Sequence, residues 1–592
     1  MKQFGKFLEK HSDKLFTIIL LGFLMVLVSF SFDYYYELND DVLIKDILSG
    51  EYTGTPEGHN IQLLWPLSAL ISLFYRIARS LPWYGLFLCG MQYFCIGMLL
   101  HRTLTYAKSK KGKLLIAGLL TGLVLVLLLE HLVFVHYSVT AALMAATAAY
   151  LFYTLPVGLE RTVFLRKSMV SVVLIFLAVC LRPNMMLLLL PLVGVTGFIR
   201  WSREKRPLCK ENMIRFCSVI AAILLVVAGS FLADKIAYSS EEWSRFETLF
   251  ANRTELYDFQ VIPAYDEHEA FYQEIGLEQS QQQLLLNYNY GLDENITEIT
   301  IGQVAEYAKV MKDARIKERF KTAVWEYTHR FFQDTDYPWN AVVMMLYVIM
   351  LFTILLRRDG RFWENLWVAV WRLGLLFFVR TVLWMYILIN GRCPVRISHS
   401  LYLMEMCILF AMLVMEYTRK LREKNFVILL TGSVLLVALI LMIPYRLQYV
   451  QKRVDKQEAV NVYGDSIENY CAARKDRFYY LDVYSTIIDG DSFADKMFVD
   501  VDNTYVNHDL LGGWSCNSPL YRKKQATMGL QGPFQDLIGS QGTRCYVIAK
   551  LETDMQWLKD FYQDKGYSVL LREVDQIDRY YGVYKVEVTG GL

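Results

Sequence analysis

Apolar runs close to the length of a membrane span recur along this chain. They fall at residues 15–32, 83–101, 114–130, 137–155, 168–182, 184–199, 216–234, 337–356, 370–390, 399–418 and 425–444. A helix needs roughly 20 such residues to cover ~30 Å of hydrocarbon. Of the 592 residues 54% are hydrophobic and only 20% charged, which does not suit a soluble multidomain protein. The expected fold class is an α-helical polytopic membrane protein with about eleven transmembrane helices.

Lysine and arginine set the expected orientation. Basic blocks are Lys2, Lys6, Lys10 and Lys14; Arg102, Lys108, Lys110, Lys111 and Lys113; Arg161, Arg166 and Lys167; Arg200, Arg203, Lys205, Arg206, Lys210 and Arg215; Arg357, Arg358 and Arg361; and Arg419, Lys420, Arg422 and Lys424. All six become cytoplasmic if residues 61–75, a short run containing Pro66, lie on the membrane surface instead of crossing it. The N-terminus is then cytoplasmic and the C-terminus extracytoplasmic. Basic residues confined to such blocks give no nucleic-acid-binding surface. The first run, lacking a small-residue cleavage site after it, reads as an uncleaved anchor. The chain ends without an ER-retention signal, and a bacterial plasma membrane is the expected location.

Four regions follow. Residues 1–445 form the transmembrane domain, and 33–82 its first extracytoplasmic loop with surface helices. Residues 235–335 form a large helical extracytoplasmic loop. In 450–592, β-rich runs ("RFYYLDVYS", "RCYVIAK", "YSVLLREV", "YYGVYKVEV") alternate with the helical "TDMQWLKDFYQDKG", which indicates a small soluble α/β domain. Cys471, Cys516 and Cys545 lie in that tail without CxxC spacing, so no metal site is expected there; an oxidising compartment would allow one disulfide among them.

The first loop opens with "DYYYELNDDVLIKDILSG". Its second half reads as a short helix, with Asn39 or Asp40 as N-cap and Gly50 just past the end. A carboxylate in that first turn can accept a proton from a hydroxyl or hold a divalent cation. The plainer reading is a cap plus outward-facing acids.

A first span, a paired acid opening an outer helix, and a surface helix before span two resemble the GT-C class of membrane glycosyltransferases. In that class the pair is often "DE" or "DD", and one carboxylate is the catalytic base or binds the metal. The resemblance implies such roles for Asp40 and Asp41. "GHNIQLLWPL" loosely resembles the "HPPL" segment of one branch, with Asn60 and Ile61 in place of the prolines and His59 as an accessory residue. The resemblance further implies a polyprenyl-phosphate-linked sugar donor, an extracytoplasmic glycan or polymer acceptor, and a divalent cation as a conceivable cofactor.

Arg182 in "CLRPNMM" and Arg392 and Arg396 in "INGRCPVRISHS" fall at outer ends of spans, where the positive-inside rule makes cations less expected. Arginine's planar fork matches phosphate oxygens, so an anion such as the donor phosphate is one reason for them; lipid headgroups or loop carboxylates are another. "RP" and "GR…R" at outer ends also look like GT-C motifs. Arg380 lies well inside its span, at nearly the depth of Glu405 on the next, and the two are expected to pair. Glu130, His131 and His136 occupy an outer turn, as acid/base groups or as polar residues closing it. "NHDLLGGWSCNSPLY" suits either a recognition loop or a tight turn; Asn252 and Asn295 open glycan-acceptor tripeptides.

The reading that combines these is an inverting membrane glycosyltransferase. Asp41 or Asp40 would act as base, with Arg182, Arg396 and Arg392 on the donor phosphate and His59, Glu130 and His131 as accessory groups. A lipid-linked glycan polymerase or ligase is the nearest variant. A transporter or flippase would show two related halves and Gly/Pro-broken spans. A non-catalytic envelope scaffold would account for the outer surfaces without the arginines.

Overall fold

The computed structural model describes residues 2–107, 109–357, 361–420, 425–488, 494–499, 503–539 and 544–591, without the side chains of 2–11, 417–431 and 591. Lys108, Arg358, Arg422 and Lys424 of the basic blocks lie outside the described residues.

The chain opens with α1 (Lys2–Ser31), then a two-residue strand β1 (Tyr35–Tyr36) and α2 (Asn39–Ser49). Two more helices follow, α3 (Trp65–Ile77) and α4 (Trp83–Leu104). A segment made of α5 (Lys110–Leu123), a π-helical stretch and α6 (Leu129–Val133) leads into strand β2 (Phe134–Val135) and α7 (Tyr137–Tyr153). Then come α8 (Arg161–Leu181), α9 (Pro183–Trp201) and α10 (Lys210–Ala237). Helix α7, rich in alanine and buried nearly all round, is the centre of this bundle; α4, α8, α9 and the later helix formed by Val395–Lys420 pack on it. Small side chains let those neighbours approach closely.

Between residues 241 and 338 the chain leaves the bundle as α11 (Glu241–Phe259), α12 (Glu269–Glu274), α13 (Gln279–Leu286), α14 (Glu298–Asp313) and α15 (Ile316–His329). It returns through α16 (Trp339–Leu355), α17 (Phe362–Asn390) and α18 (Val395–Lys420). Helix α19 (Asn425–Ala472) has 48 residues. At 1.5 Å per residue that is roughly 70 Å, so its second half stands well clear of the hydrocarbon.

Among the described residues nine helices are long and apolar enough to cross a membrane, and α7 and α16 are shorter apolar helices of 17 residues each. These eleven lie at the runs read from the sequence. The molecule is an α-helical polytopic membrane protein. At about 25 Å, α7 falls short of the bilayer, which costs little because protein rather than lipid surrounds it. Helix α3, with 13 residues, is also too short to cross.

The C-terminal region carries β3 (Phe478–Leu481), β4 (His508–Leu510), α20 (Pro519–Thr527), α21 (Pro533–Ile538), β5 (Cys545–Lys550), α22 (Gln556–Asp564), β6 (Tyr567–Ile577) and β7 (Tyr581–Gly591). The five strands form a mixed sheet in the order β4-β3-β5-β7-β6, with β3 parallel to both neighbours and β7 antiparallel to both. Cys471, Cys516 and Cys545 are separate buried thiols, so the disulfide the sequence allowed does not form.

One short strip of backbone positions the site. Strand β1 pairs in parallel with β2, Tyr35 opposite Phe134 and Tyr36 opposite Val135. On its other edge Tyr36 N–H donates to Asp495 O (2.9 Å) and Met497 N–H to Tyr34 O (2.8 Å). The first loop is thereby held between the α6–α7 turn and the C-terminal region. Helix α2 starts directly after this strip, at extended Leu38, so neither Asn39 nor Asp40 is its N-cap and no side chain caps it. Asp40 and Asp41 stand in its first turn, where the helix dipole favours negative charge. Gly50 ends the helix at φ 87°; a Cβ there would lie 2.5 Å from Thr55 and Pro56 backbone, so glycine is required.

Candidate functional site

The two acids of "NDD" have opposite environments. Asp41 is 0% exposed. Its Oδ1 accepts from Tyr84 Oη–H (2.9 Å) and from the Tyr137 backbone N–H (3.3 Å). Its Oδ2 has no hydrogen-bond partner and faces His136 Nε2 at 3.8 Å. Burial raises the Asp41 pKa well above the carboxylate range, against the two hydrogen bonds, and the nearby charges of Asp40 and Glu37 push the same way. Asp40, one residue earlier, is half-buried. It lines a cavity of about 330 Å³ with Arg253, Tyr288, Asp46, Trp514 and Lys524. Consecutive residues on a helix point about 100° apart, so one carboxylate reaches the cavity while the other is locked into the bundle.

Tyr137 links these acids to the arginines. The His136 ring stacks on the Tyr137 ring, centroids 4.7 Å apart. The Arg182 guanidinium lies 4.7 Å from the centre of the Tyr137 ring and donates from Nη1 to Gln62 Oε1 (2.6 Å). Arg396 comes in from the start of α18. Burial, then the charges of Arg396 and Arg182, hold the His136 imidazole well below its ordinary pKa. Its Nδ1 accepts from Ser138 N–H (2.9 Å), which leaves the ring proton on Nε2, toward Asp41. Among the described residues the Arg396 guanidinium has no ion pair and no hydrogen bond. A half-buried fork of five donors is left without an acceptor.

The other residues singled out from the sequence are committed elsewhere. Arg392 is ion-paired with Asp258 and lies over the Phe259 ring, at the end of α11. His59 hydrogen-bonds Ala237 O (3.1 Å) and stacks on Trp243, fastening the first loop to the end of α10. Glu130 accepts from Arg446 (3.2 Å) and Arg453 (2.6 Å), and Arg453 also reaches Glu37 (3.0 Å). His131 Nε2 meets His399 Nδ1 at 2.8 Å, and His399 Nε2 meets Thr335 O at 2.9 Å. With the His399 proton donated to that carbonyl, His131 Nε2–H is the donor in the histidine pair. Arg380 Nε donates to Glu405 Oε2 at 3.0 Å, as their depths suggested.

Several members of the site had no signal in the sequence. Arg253 was visible only as the middle of a glycan-acceptor tripeptide, and Asn252 beside it gives its amide to Glu298 O (2.9 Å). Tyr84 and Tyr137 are two of 39 tyrosines. Only the folded contacts distinguish them. Among the described residues no group of three or more His, Cys, Asp and Glu side chains is arranged to hold a metal ion. Asp41 and His136 make two facing groups at most.

No protein-family model matches the chain, and no curated protein matches it. Two crystal structures are similar to it over nearly their whole length. ArnT from Cupriavidus metallidurans bound to undecaprenyl phosphate is 10% identical, with a TM-score of 0.39 over 96% of this chain and 97% of that one. The same protein in the apo state is 9% identical, with a TM-score of 0.40 over 97% and 98%.

Proposed function

We propose that this protein is an inverting membrane glycosyltransferase. It moves a sugar from a polyprenyl-phosphate donor to a glycan or polymer acceptor on the extracytoplasmic face of a bacterial plasma membrane. The observation that carries the reading is Arg396. A guanidinium with no ion pair among the described residues, whose charge reaches His136 and Tyr137 as that of Arg182 does, and also reaches Glu37, which Arg453 already holds, leaves room for an anionic group from outside the chain. The motif resemblance supplies the kind of anion, a lipid phosphate. An apolar cavity of about 420 Å³ at bundle level, walled by Leu24, Ile96, Leu128, Met345 and Phe410 among others, has the chemistry to take isoprenoid units.

In this reading the acceptor enters the cavity that Asp40 lines. Asp40 takes the proton of an acceptor hydroxyl while that oxygen attacks the anomeric carbon from the side opposite the phosphate. The bond between the anomeric carbon and the phosphate oxygen breaks, and its electron pair leaves with the phosphate, whose charge Arg182 and Arg396 stabilise. Displacement from the opposite face inverts the anomeric centre. Asp41 does not reach the acceptor. It fixes α2 against Tyr84 and Tyr137, and so sets the height of Asp40.

The direct test is mass spectrometry of envelope glycans from cells with and without the protein. Loss of one sugar modification is expected; identical glycan profiles would contradict the reading. The orientation has its own test. A cysteine at Ser109, at the start of α5, should resist a membrane-impermeant thiol reagent on intact cells. Labelling there would reverse the proposed topology.

A further inference from the structure

Helix α15 closes the excursion that runs from α11 to α15, yet its contacts are with a membrane-crossing helix. Arg319 Nε donates to Ile389 O (3.0 Å), and Tyr327 Oη hydrogen-bonds Thr381 Oγ1 (2.8 Å) and accepts from Arg380 Nη1 (2.6 Å). Just before α15, Lys312 Nζ donates to Asn390 O (3.1 Å). The α17 residues that receive these bonds, 381 to 390, cover roughly 13 Å of helical rise. Helix α15 therefore lies alongside the last turns of α17, with Ala323 buried on that side.

Its remaining surface divides into two rows. Ile316, Phe320 and Val324 recur at i, i+4 and i+8 and are 46%, 53% and 40% exposed. On the opposite side stand Glu318, Thr322 and His329, all exposed, together with Trp325, 61% exposed and stacked on His329, with Lys317 and Lys321 at the shoulder between the rows. The apolar row is not isolated. Phe331 and Phe332 follow the helix with 50% and 77% exposed, and the neighbouring stretch of α17 turns Phe378, Val382 and Tyr386 outward. On a membrane-crossing helix, outward means toward acyl chains. The exposed row on α15 thus belongs to a helix that packs beside an outward apolar stretch of α17.

We propose that α15 is embedded in the bilayer interface on the side of the candidate site. Phe320 and Val324 lie among the acyl chains, Glu318 and Thr322 in water, and Lys317 and Lys321 at phospholipid phosphates. The arrangement is that of an interfacial amphipathic helix, sunk ~5–10 Å below the headgroups. Lysine stems can lie along the apolar face while their ammonium groups reach phosphate.

The test uses the full-length protein with the accessible cysteines Cys209, Cys217 and Cys393 changed to serine. Single cysteines at Phe320, Val324 or Thr322 carry an environment-sensitive fluorophore. The protein is placed in nanodiscs of phosphatidylcholine and phosphatidylglycerol, with or without a lipid spin-labelled near the headgroup end of its chain. The spin-labelled lipid is expected to quench the probe at Phe320→Cys and Val324→Cys at least about two-fold more than at Thr322→Cys, while aqueous iodide shows the reverse order. Iodide quenching of all three probes, with none from the lipid, would overturn the proposal and leave the row free for a protein partner. Equal lipid quenching at all three would also overturn it, because the helix would then be submerged rather than interfacial.

Discussion

Arg380 and Arg396 belong to consecutive helices and meet opposite surroundings. Arg380, inside α17, donates to Glu405 and to Tyr327 and lies within 5.6 Å of the Trp384 ring centre. The same pattern recurs at Arg357, which pairs with Glu416, and at Arg446, which pairs with Glu130, whereas buried Arg203 has the Tyr153 ring beside it and no carboxylate among the described residues. Arg396, at the head of α18, has no such carboxylate among the described residues. In low dielectric a cation left without an anion is costly, and this chain supplies one to Arg380, Arg357 and Arg446. The lesson is that Arg396 differs from these paired arginines, as the proposed role on an incoming phosphate requires.

The largest effect is expected on the committed side. Glu405→Gln strands Arg380 and should cost about 3–5 kcal/mol of stability. Replacing both members with apolar residues should cost less than the sum of the two single changes. Simple additivity in that double-mutant cycle, read from unfolding in detergent, would show that the pair does not interact.

The uncommitted side should answer in binding. Arg396→Ala removes a fork worth about 1.5–3 kcal/mol to a charged acceptor, so affinity for undecaprenyl phosphate should fall about ten-fold or more. Melting temperature should move little, because among the described residues that guanidinium makes no hydrogen bond or ion pair. Arg392→Ala should leave affinity nearly unchanged, since Asp258 already occupies that guanidinium. Native mass spectrometry against undecaprenyl phosphate reads both variants. Equal losses from the two would erase the distinction between them.

A smaller effect separates the two acids. The folded state keeps a proton on Asp41 at pH values where the unfolded chain has released it. Folding then takes up a proton, so this group's contribution to stability falls as pH rises above the ordinary carboxylate range. Asp41→Asn can still accept from Tyr84 and Tyr137, and it should flatten that decline as pH rises above the ordinary carboxylate range. Melting curves above that range check the slope. An unchanged slope would mean that Asp41 is ionised in place.

What could be read from the sequence followed the range of each interaction. The spans were legible because burial in lipid requires apolar composition along a whole helix. The tail strands "RCYVIAK" and "YYGVYKVEV" were legible because β-branched and aromatic residues concentrate in a short local run; both became neighbours in the sheet. Arg380 and Glu405 could be matched because they lie on adjacent helices at similar depth. Arg453 with Glu130 could not, since the contact joins the second half of a 48-residue helix to a turn more than three hundred residues earlier. The strip that holds Tyr35 and Tyr36 was equally invisible. It consists of backbone hydrogen bonds over two residues, and such bonds do not depend on side-chain identity. The pair "NDD" was visible as chemistry, but only the partners Tyr84 and Tyr137 show which acid faces the cavity.

The central claim is that Asp40 is the base and Asp41 its support. The most direct measurement is restoration of the missing glycan modification in cells lacking the protein, scored by mass spectrometry for wild type, Asp40→Asn and Asp41→Asn at equal membrane abundance. Asp40→Asn should restore it at least about 10²-fold less efficiently than wild type, the usual scale for loss of a general base. Asp41→Asn should restore most of it. Normal restoration by Asp40→Asn, or loss confined to Asp41→Asn, would contradict the account.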